Sequence, residues 1–227
     1  MPGILYHLAF AEAVYQKCKD IIKIEKIEFM SGNLIPDYAV AGKDKTHYQK
    51  PASVKGFYIP EMELVKRDLF VPNDSVKFGM YCHLYLDYYF ISGFLIPEFI
   101  WDADRYMVIN PRNGKEWTVK DFFSHKGMYG SYTEINQMML RDDHIPLETV
   151  NEIPEILPKT GMPQYDVRKE KTWKTELEEY MAEKKEYTGD VFDYVRLWEY
   201  IERIAGQFAD EIRNVTDVKL LGGYIKY

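Results

Sequence analysis

The chain has 227 residues, of which 46% are hydrophobic and 15% aromatic, so it can bury the core of one substantial domain. Its formal net charge of −7 argues against duplex nucleic acid as a partner, because that affinity comes mainly from lysine and arginine. No apolar run predicts a transmembrane segment and the start lacks the features of a signal peptide, so we predict a cytoplasmic protein.

The first elements in the chain are predicted to be helices joined by polar connections. Apolar residues at spacings of three and four predict a first helix over 2–25, which carries His7. Pro36 predicts a break or a new helix start, with Asp37 directly after it. The polar segment 41–51 predicts a loop that contains His47.

A long apolar helix is the strongest prediction in the middle of the chain. It covers about 76–95 and carries His83 and Asp87, and a short helix within 58–70 precedes it. The segment 96–117 is rich in turn-forming and polar residues, which predicts a surface loop.

Two capping-box patterns predict the helix starts that follow, with helices running to about 127 and 140. The patterns pair Thr118 with Asp121 and Ser131 with Glu134.

The composition changes after a segment rich in proline at 154–163. Two amphipathic, strongly charged helices are predicted over 172–187 and 190–215, the second capped by Asp190. We therefore predict an all-α fold, with a multi-helix domain over 1–157 and a helical C-terminal extension over 158–227 packed on it.

The pair His83 and Asp87 indicates a metal site. Residues four apart project from the same face of a helix, so both side chains can reach one ion. Imidazole nitrogen and carboxylate oxygen are ligands that suit zinc. For the pair taken alone, a hydrogen-bonded pair in the core is the more common explanation of this spacing. His125, four residues after Asp121, is either a further ligand, a partner of a ligand, or part of a surface ion pair.

The order of five residues in the first 90 positions resembles the zinc-dependent phospholipase C family of bacteria, which is all-helical. They are His7 in "HLAFAEAV", Asp37 in "GNLIPD", His47 in "THY", and His83 with Asp87 in "GMYCHLYLD". The resemblance implies one zinc held by Asp37, His47, His83 and Asp87, and a second held by His7 with Asp87 as a bridge. It also implies Asp37 as the general base in hydrolysis of phosphoric esters, the substrate being a small phosphoester or a phospholipid head group.

The chain departs from the family pattern where the third zinc of the exported enzymes would bind. Gly93 stands in place of one histidine, and Tyr129 stands four residues after His125 in place of a glutamate. We therefore expect no third site. The alternative hypothesis is a non-catalytic helical protein with a structural or vestigial metal site, which acts through a partner surface on its C-terminal helices.

Overall fold

The computed structural model describes residues 3–167 and 173–221, without the side chains of 216–221, and this part of the chain is mostly helical. The helices are α1 (Ile4–Cys18), α2 (Lys26–Tyr38), α3 (Lys43–Thr46), α4 (Met62–Leu69), α5 (Ser75–Tyr89), α6 (Ile96–Glu98), α7 (Val119–Phe122), α8 (Met128–Arg141), α9 (Leu147–Glu152), α10 (Trp173–Ala182) and α11 (Tyr194–Leu221). A π-helical segment, Phe90–Leu95, continues α5, as the long apolar pattern predicted.

Two small antiparallel sheets correct the all-α prediction. Strands β1 (Gln49–Pro51) and β2 (Tyr58–Pro60) form a pair, and strands β3 (Ile100–Asp102), β4 (Met107–Ile109) and β5 (Glu116–Thr118) form a sheet in that order. The second sheet lies where the sequence predicted a loop, and its central Val108 is buried opposite Trp101 and Trp117. Each strand has three residues, which is too short for alternation to be recognised in the sequence.

Helices α2 and α5 cross closely, and two glycines allow it. A β-carbon at Gly32 would lie 2.0 Å from the Val76 carbonyl oxygen, and one at Gly79 would lie 2.1 Å from the Phe29 carbonyl oxygen. Since both obstacles are backbone atoms, only residues without a side chain fit at these positions. The backbones of α2 and α5 therefore lie almost in contact, which brings Asp37 on α2 close to the part of α5 that carries His83 and Asp87.

Pro36 does not end a helix, contrary to the prediction. Helix α2 continues through it to Tyr38, so Asp37 lies in the last turn rather than after a break. A proline this close to the C-terminus removes one hydrogen bond to the carbonyl of Gly32, and the buried face of α2 supplies the stability that keeps the turn helical.

Other predicted helix boundaries also move. Helix α1 ends at Cys18 rather than at about 25, and α10 ends at Ala182 rather than at 187. Thr118 caps α7 as predicted, but this helix ends at Phe122. Ser131 lies inside α8 rather than at its start. Asp193 instead of Asp190 accepts the hydrogen bond from the Arg196 amide at the start of α11. The predicted helix starts at 2 and 172 lie outside the described residues.

The chain after residue 160 forms hydrogen bonds with the loop that follows α2 and with the last residue of α3. The Val40 amide donates to the Asp166 carbonyl at 2.6 Å, and the buried Tyr165 hydroxyl donates to the Thr46 carbonyl at 2.8 Å. Farther on, Phe208 of α11 packs edge-on against Phe10 of α1. The division into domains at residue 157 stays a prediction. Among the described residues, no helix is both long and apolar enough to cross a membrane.

Candidate metal centre

Five predicted ligand residues converge in the interior from four different places in the chain. His7 comes from α1, Asp37 from the last turn of α2, His47 from the residue after α3, and His83 and Asp87 from one face of α5. Four of these side chains are at most 1% exposed, and Asp37 is 22% exposed. We call these five residues the metal cluster.

The nitrogen and oxygen atoms of the metal cluster are spaced like ligands of one ion. His47 Nε2 lies 3.2 Å from Asp37 Oδ1 and 3.4 Å from Asp87 Oδ2. His83 Nε2 lies 3.9 Å from Asp37 Oδ2 and 3.7 Å from Asp87 Oδ2. Zinc bound tetrahedrally at about 2.0–2.1 Å places its ligand atoms about 3.3 Å apart, close to these separations.

Most of these atoms have no hydrogen-bond partner in the protein. Both nitrogens of His7, Nε2 of His47, Nε2 of His83 and both carboxylate oxygens of Asp87 are buried and unpaired. An unpaired buried polar group costs about 1–3 kcal/mol, and a buried carboxylate costs more, so a cation bound at the centre of the cluster would offset a substantial cost. The residues present therefore fit a metal ion with mixed nitrogen and oxygen ligands.

The two oxygens of Asp87 face different histidines. Oδ2 faces His47 and His83, whereas Oδ1 lies 3.6 Å from His7 Nε2. The ring of His7 is stacked on that of His83, with centroids 3.7 Å apart. This arrangement offers two overlapping sets of ligands, one of His47, His83 and Asp87 and one of His7, Asp37 and His83.

Asn33 holds the histidines of α1 and α5 in place. Its backbone carbonyl lies 2.7 Å from His83 Nδ1, so that nitrogen carries the proton and Nε2 keeps a free lone pair. In the amide orientation that satisfies both neighbours, the Asn33 side chain donates to the His7 carbonyl at 3.1 Å and accepts from the His83 amide at 3.2 Å. In metal sites, a histidine that binds the ion through one ring nitrogen usually donates a hydrogen bond from the other, as His83 Nδ1 does to the Asn33 carbonyl.

His47 is oriented in a similar way from the opposite side. The Thr46 hydroxyl lies 2.8 Å from His47 Nδ1, which leaves Nε2 to face Asp37 and Asp87. Thr46 is itself held through its carbonyl by Tyr165.

Burial and neighbouring charges shift the pKa values of His83 and Asp37. Burial, followed by the neighbouring His7, lowers the pKa of His83 to about 3, against the pull of the two carboxylates. Burial alone would raise the pKa of Asp37, but His83, His47 and Lys43 together hold it well below its usual range. His83 is therefore neutral and Asp37 ionised at neutral pH, which are the protonation states that metal binding requires.

Asp37 marks the side from which solvent reaches the cluster. A pocket of about 10 Å³ lies there, enough for one water molecule, and is lined by Ile4, His7, Asn33, Leu34, Asp37, Tyr38 and His83. Outside it, the Lys43 ammonium lies 2.7 Å from Asp37 Oδ1, and its side chain is 51% exposed.

His125 does not join the cluster. It lies exposed in the turn between α7 and α8, beyond the end of the helix that would have aligned it with Asp121, and its ring faces Tyr129. Gly93 lies in the π-helical segment, where a β-carbon would meet the Tyr200 hydroxyl at 2.2 Å. A histidine would not fit there without displacing the Tyr200 side chain.

Sequence reasoning missed three residues that support the cluster, namely Asn33, Lys43 and Thr46. Asn33 precedes Asp37 by four positions, a spacing that becomes informative only if α2 is known to continue through Pro36. Comparison with protein-family models, with curated proteins and with solved structures gave no match. The resemblance to zinc-dependent phospholipases C therefore depends on the quoted motifs, and its consequences are proposals.

Proposed function

We propose that the protein is a zinc-dependent hydrolase of phosphoric esters, similar in its chemistry to phospholipase C. The observation that carries this proposal is the convergence of unpaired, buried nitrogen and oxygen atoms at the spacing of metal ligands. The order of these residues along the chain, which resembles that of the phospholipase C family, supports zinc as the metal and phosphoric esters as the substrate class.

At such a site the ligand residues and the residues that orient them have different roles. When bound, zinc supplies Lewis acidity towards a phosphoryl oxygen and lowers the pKa of water to about 7. Asp37 and Asp87 supply negative charge that holds the cation, while the Asn33 carbonyl keeps the lone pair of His83 Nε2 pointed inward. The buried rings exclude bulk water, which strengthens each of these electrostatic contacts.

Asp37 is the residue best placed to accept a proton from the attacking water. Its lowered pKa keeps it ionised at neutral pH, and its partial exposure lets the proton pass on to solvent. The other carboxylate, Asp87, is fully buried and faces three histidines, which favours a role in holding metal.

A structural metal is the second candidate, because one observation favours it. The free volume beside the cluster holds only about one water molecule, so a substrate must bind at the Asp37 side of the site rather than enter it. In a structural site the protein supplies every ligand, whereas a catalytic site keeps one position for water or substrate.

The test combines metal analysis with an activity screen. Protein purified without added zinc is analysed for metal, and hydrolysis of p-nitrophenyl phosphate and bis(p-nitrophenyl) phosphate is measured with stoichiometric zinc. We expect His83→Ala to lose both the metal and the activity, and the matched variant His125→Ala to keep both. Retention of metal by His83→Ala would refute the site, whereas bound zinc without hydrolysis of either ester would favour the structural role.

A further inference from the structure

We propose that Lys43 is the anion-recognition residue of this centre and binds the phosphoryl group of the substrate. The inference depends on the proposed function for its substrate class, but it makes a separate claim about binding. Its starting point is that, among the described ion pairs, Lys43 supplies the one lysine or arginine contact to the metal cluster.

The position of Lys43 coincides with the approach to the cluster. Asp37 is the most exposed member, at 22%, while the other four are at most 1% exposed. The Lys43 ammonium lies 2.7 Å from Asp37 Oδ1, and about half of its side chain is in solvent. An anion that reaches the metal from solvent therefore passes within contact distance of this ammonium.

The net charge of the zinc-bound centre depends on Lys43. Asp37 and Asp87 carry two negative charges, and histidines are neutral when they bind metal. One zinc ion brings this set to zero net charge, which offers a phosphate monoester, with about −1.5 to −2 charges at pH 7, little long-range attraction. Lys43 makes the sum positive. The chain as a whole carries −7, so no general attraction replaces this local one.

The contact between Lys43 and Asp37 also explains how the ammonium becomes available. The ammonium neutralises a carboxylate oxygen that also faces His47. When the carboxylate binds a cation, part of its negative charge is neutralised and its attraction for the Lys43 ammonium becomes weaker. The ammonium can then turn its N–H groups towards a phosphoryl oxygen, as a charge-assisted hydrogen-bond donor.

The experiment measures binding of inorganic phosphate to the zinc-loaded protein by calorimetry at low ionic strength. Lys43→Gln is compared with Lys45→Gln, an exposed lysine two positions away on the same short helix. We expect Lys43→Gln to weaken phosphate binding by about 10-fold or more, with unchanged zinc content, and Lys45→Gln to bind as the wild type does. Lys43→Arg keeps the charge and should bind phosphate more tightly than Lys43→Gln.

The outcomes separate this inference from the proposed function. If the wild type binds phosphate in a manner dependent on Lys43 but hydrolyses no ester, the inference stands and the hydrolase function fails. If the wild type hydrolyses esters and Lys43→Gln has the same phosphate affinity and KM, Lys43 has no part in recognition. Absence of phosphate binding to the zinc-loaded wild type would also overturn the inference.

Discussion

Replacement of Gly79 by alanine tests whether the close crossing of α2 and α5 builds the metal centre. The new β-carbon would lie 2.1 Å from the Phe29 carbonyl oxygen and 2.8 Å from the Asn33 amide nitrogen, whereas ordinary contact begins at 3.4 Å. The helices must therefore separate by about 1.3 Å at this point. Gly79 lies one turn before His83, so this displacement moves His83 away from Asp37.

Two free-energy effects oppose each other in this variant. Alanine favours the helix by about 1 kcal/mol relative to glycine. Overpacking costs about 1–3 kcal/mol and sometimes more, and the upper end applies here because backbone atoms cannot rotate aside. We expect the free energy of unfolding of the metal-free protein to fall by about 2 kcal/mol. Zinc affinity should fall at least about 10-fold, because ligand distances tolerate errors of only about 0.2 Å.

The assays are urea denaturation of the metal-free protein and chelator competition for zinc. The matched control is Gly206→Ala in α11, where no atom outside the local helix backbone lies within 4 Å of the added β-carbon. This control should gain about 0.5–1 kcal/mol of stability and keep the zinc affinity of the wild type. If Gly79→Ala behaved like Gly206→Ala, the helix crossing would not position the ligands.

Two further predictions concern the metal-free protein. In the folded protein the pKa of His83 is lowered to about 3 from 6.5, so as pH falls the unfolded chain binds this proton before the folded chain does. The contribution of His83 to the free energy of unfolding should therefore be complete above about pH 6.5 and decline as pH falls towards 3. Urea denaturation that gave the same free energy of unfolding from about pH 7 to about pH 4 would contradict this. Tyr165→Phe leaves the buried Thr46 carbonyl without its hydrogen-bond donor, so it should destabilise the protein by about 1–3 kcal/mol and speed the release of zinc to a chelator. The control Tyr58→Phe, at an exposed position, should change the free energy of unfolding by less than about 0.5 kcal/mol.

The sequence was informative where the structure depends on neighbours along the chain. The long helix of α5 and the pairing of His83 with Asp87 follow from a spacing of four residues, which any helix places on one face. The mostly helical character followed from the same periodicity. His7 also lies on a helix as predicted.

Features set by contacts between distant segments could not be predicted. Helix α2 continues through Pro36 because its other residues are buried against α5, and this packing outweighs the local preference of proline. His125 was expected on a helix, but α7 ends three residues earlier. Glu134, expected in a capping box, is buried and instead accepts hydrogen bonds from the amide and hydroxyl of Thr188.

The bond between Tyr165 and Thr46 has a consequence for the order of events during biosynthesis. All five residues of the metal cluster leave the ribosome before Tyr165 is made, so under the proposed function a nascent chain would bind zinc before the hydrogen bond between Tyr165 and Thr46, the neighbour of His47, forms. Tyr165 and Asp166 then form their hydrogen bonds with Thr46 and Val40. We therefore expect metal to exchange freely early in the life of the polypeptide and slowly once synthesis is complete.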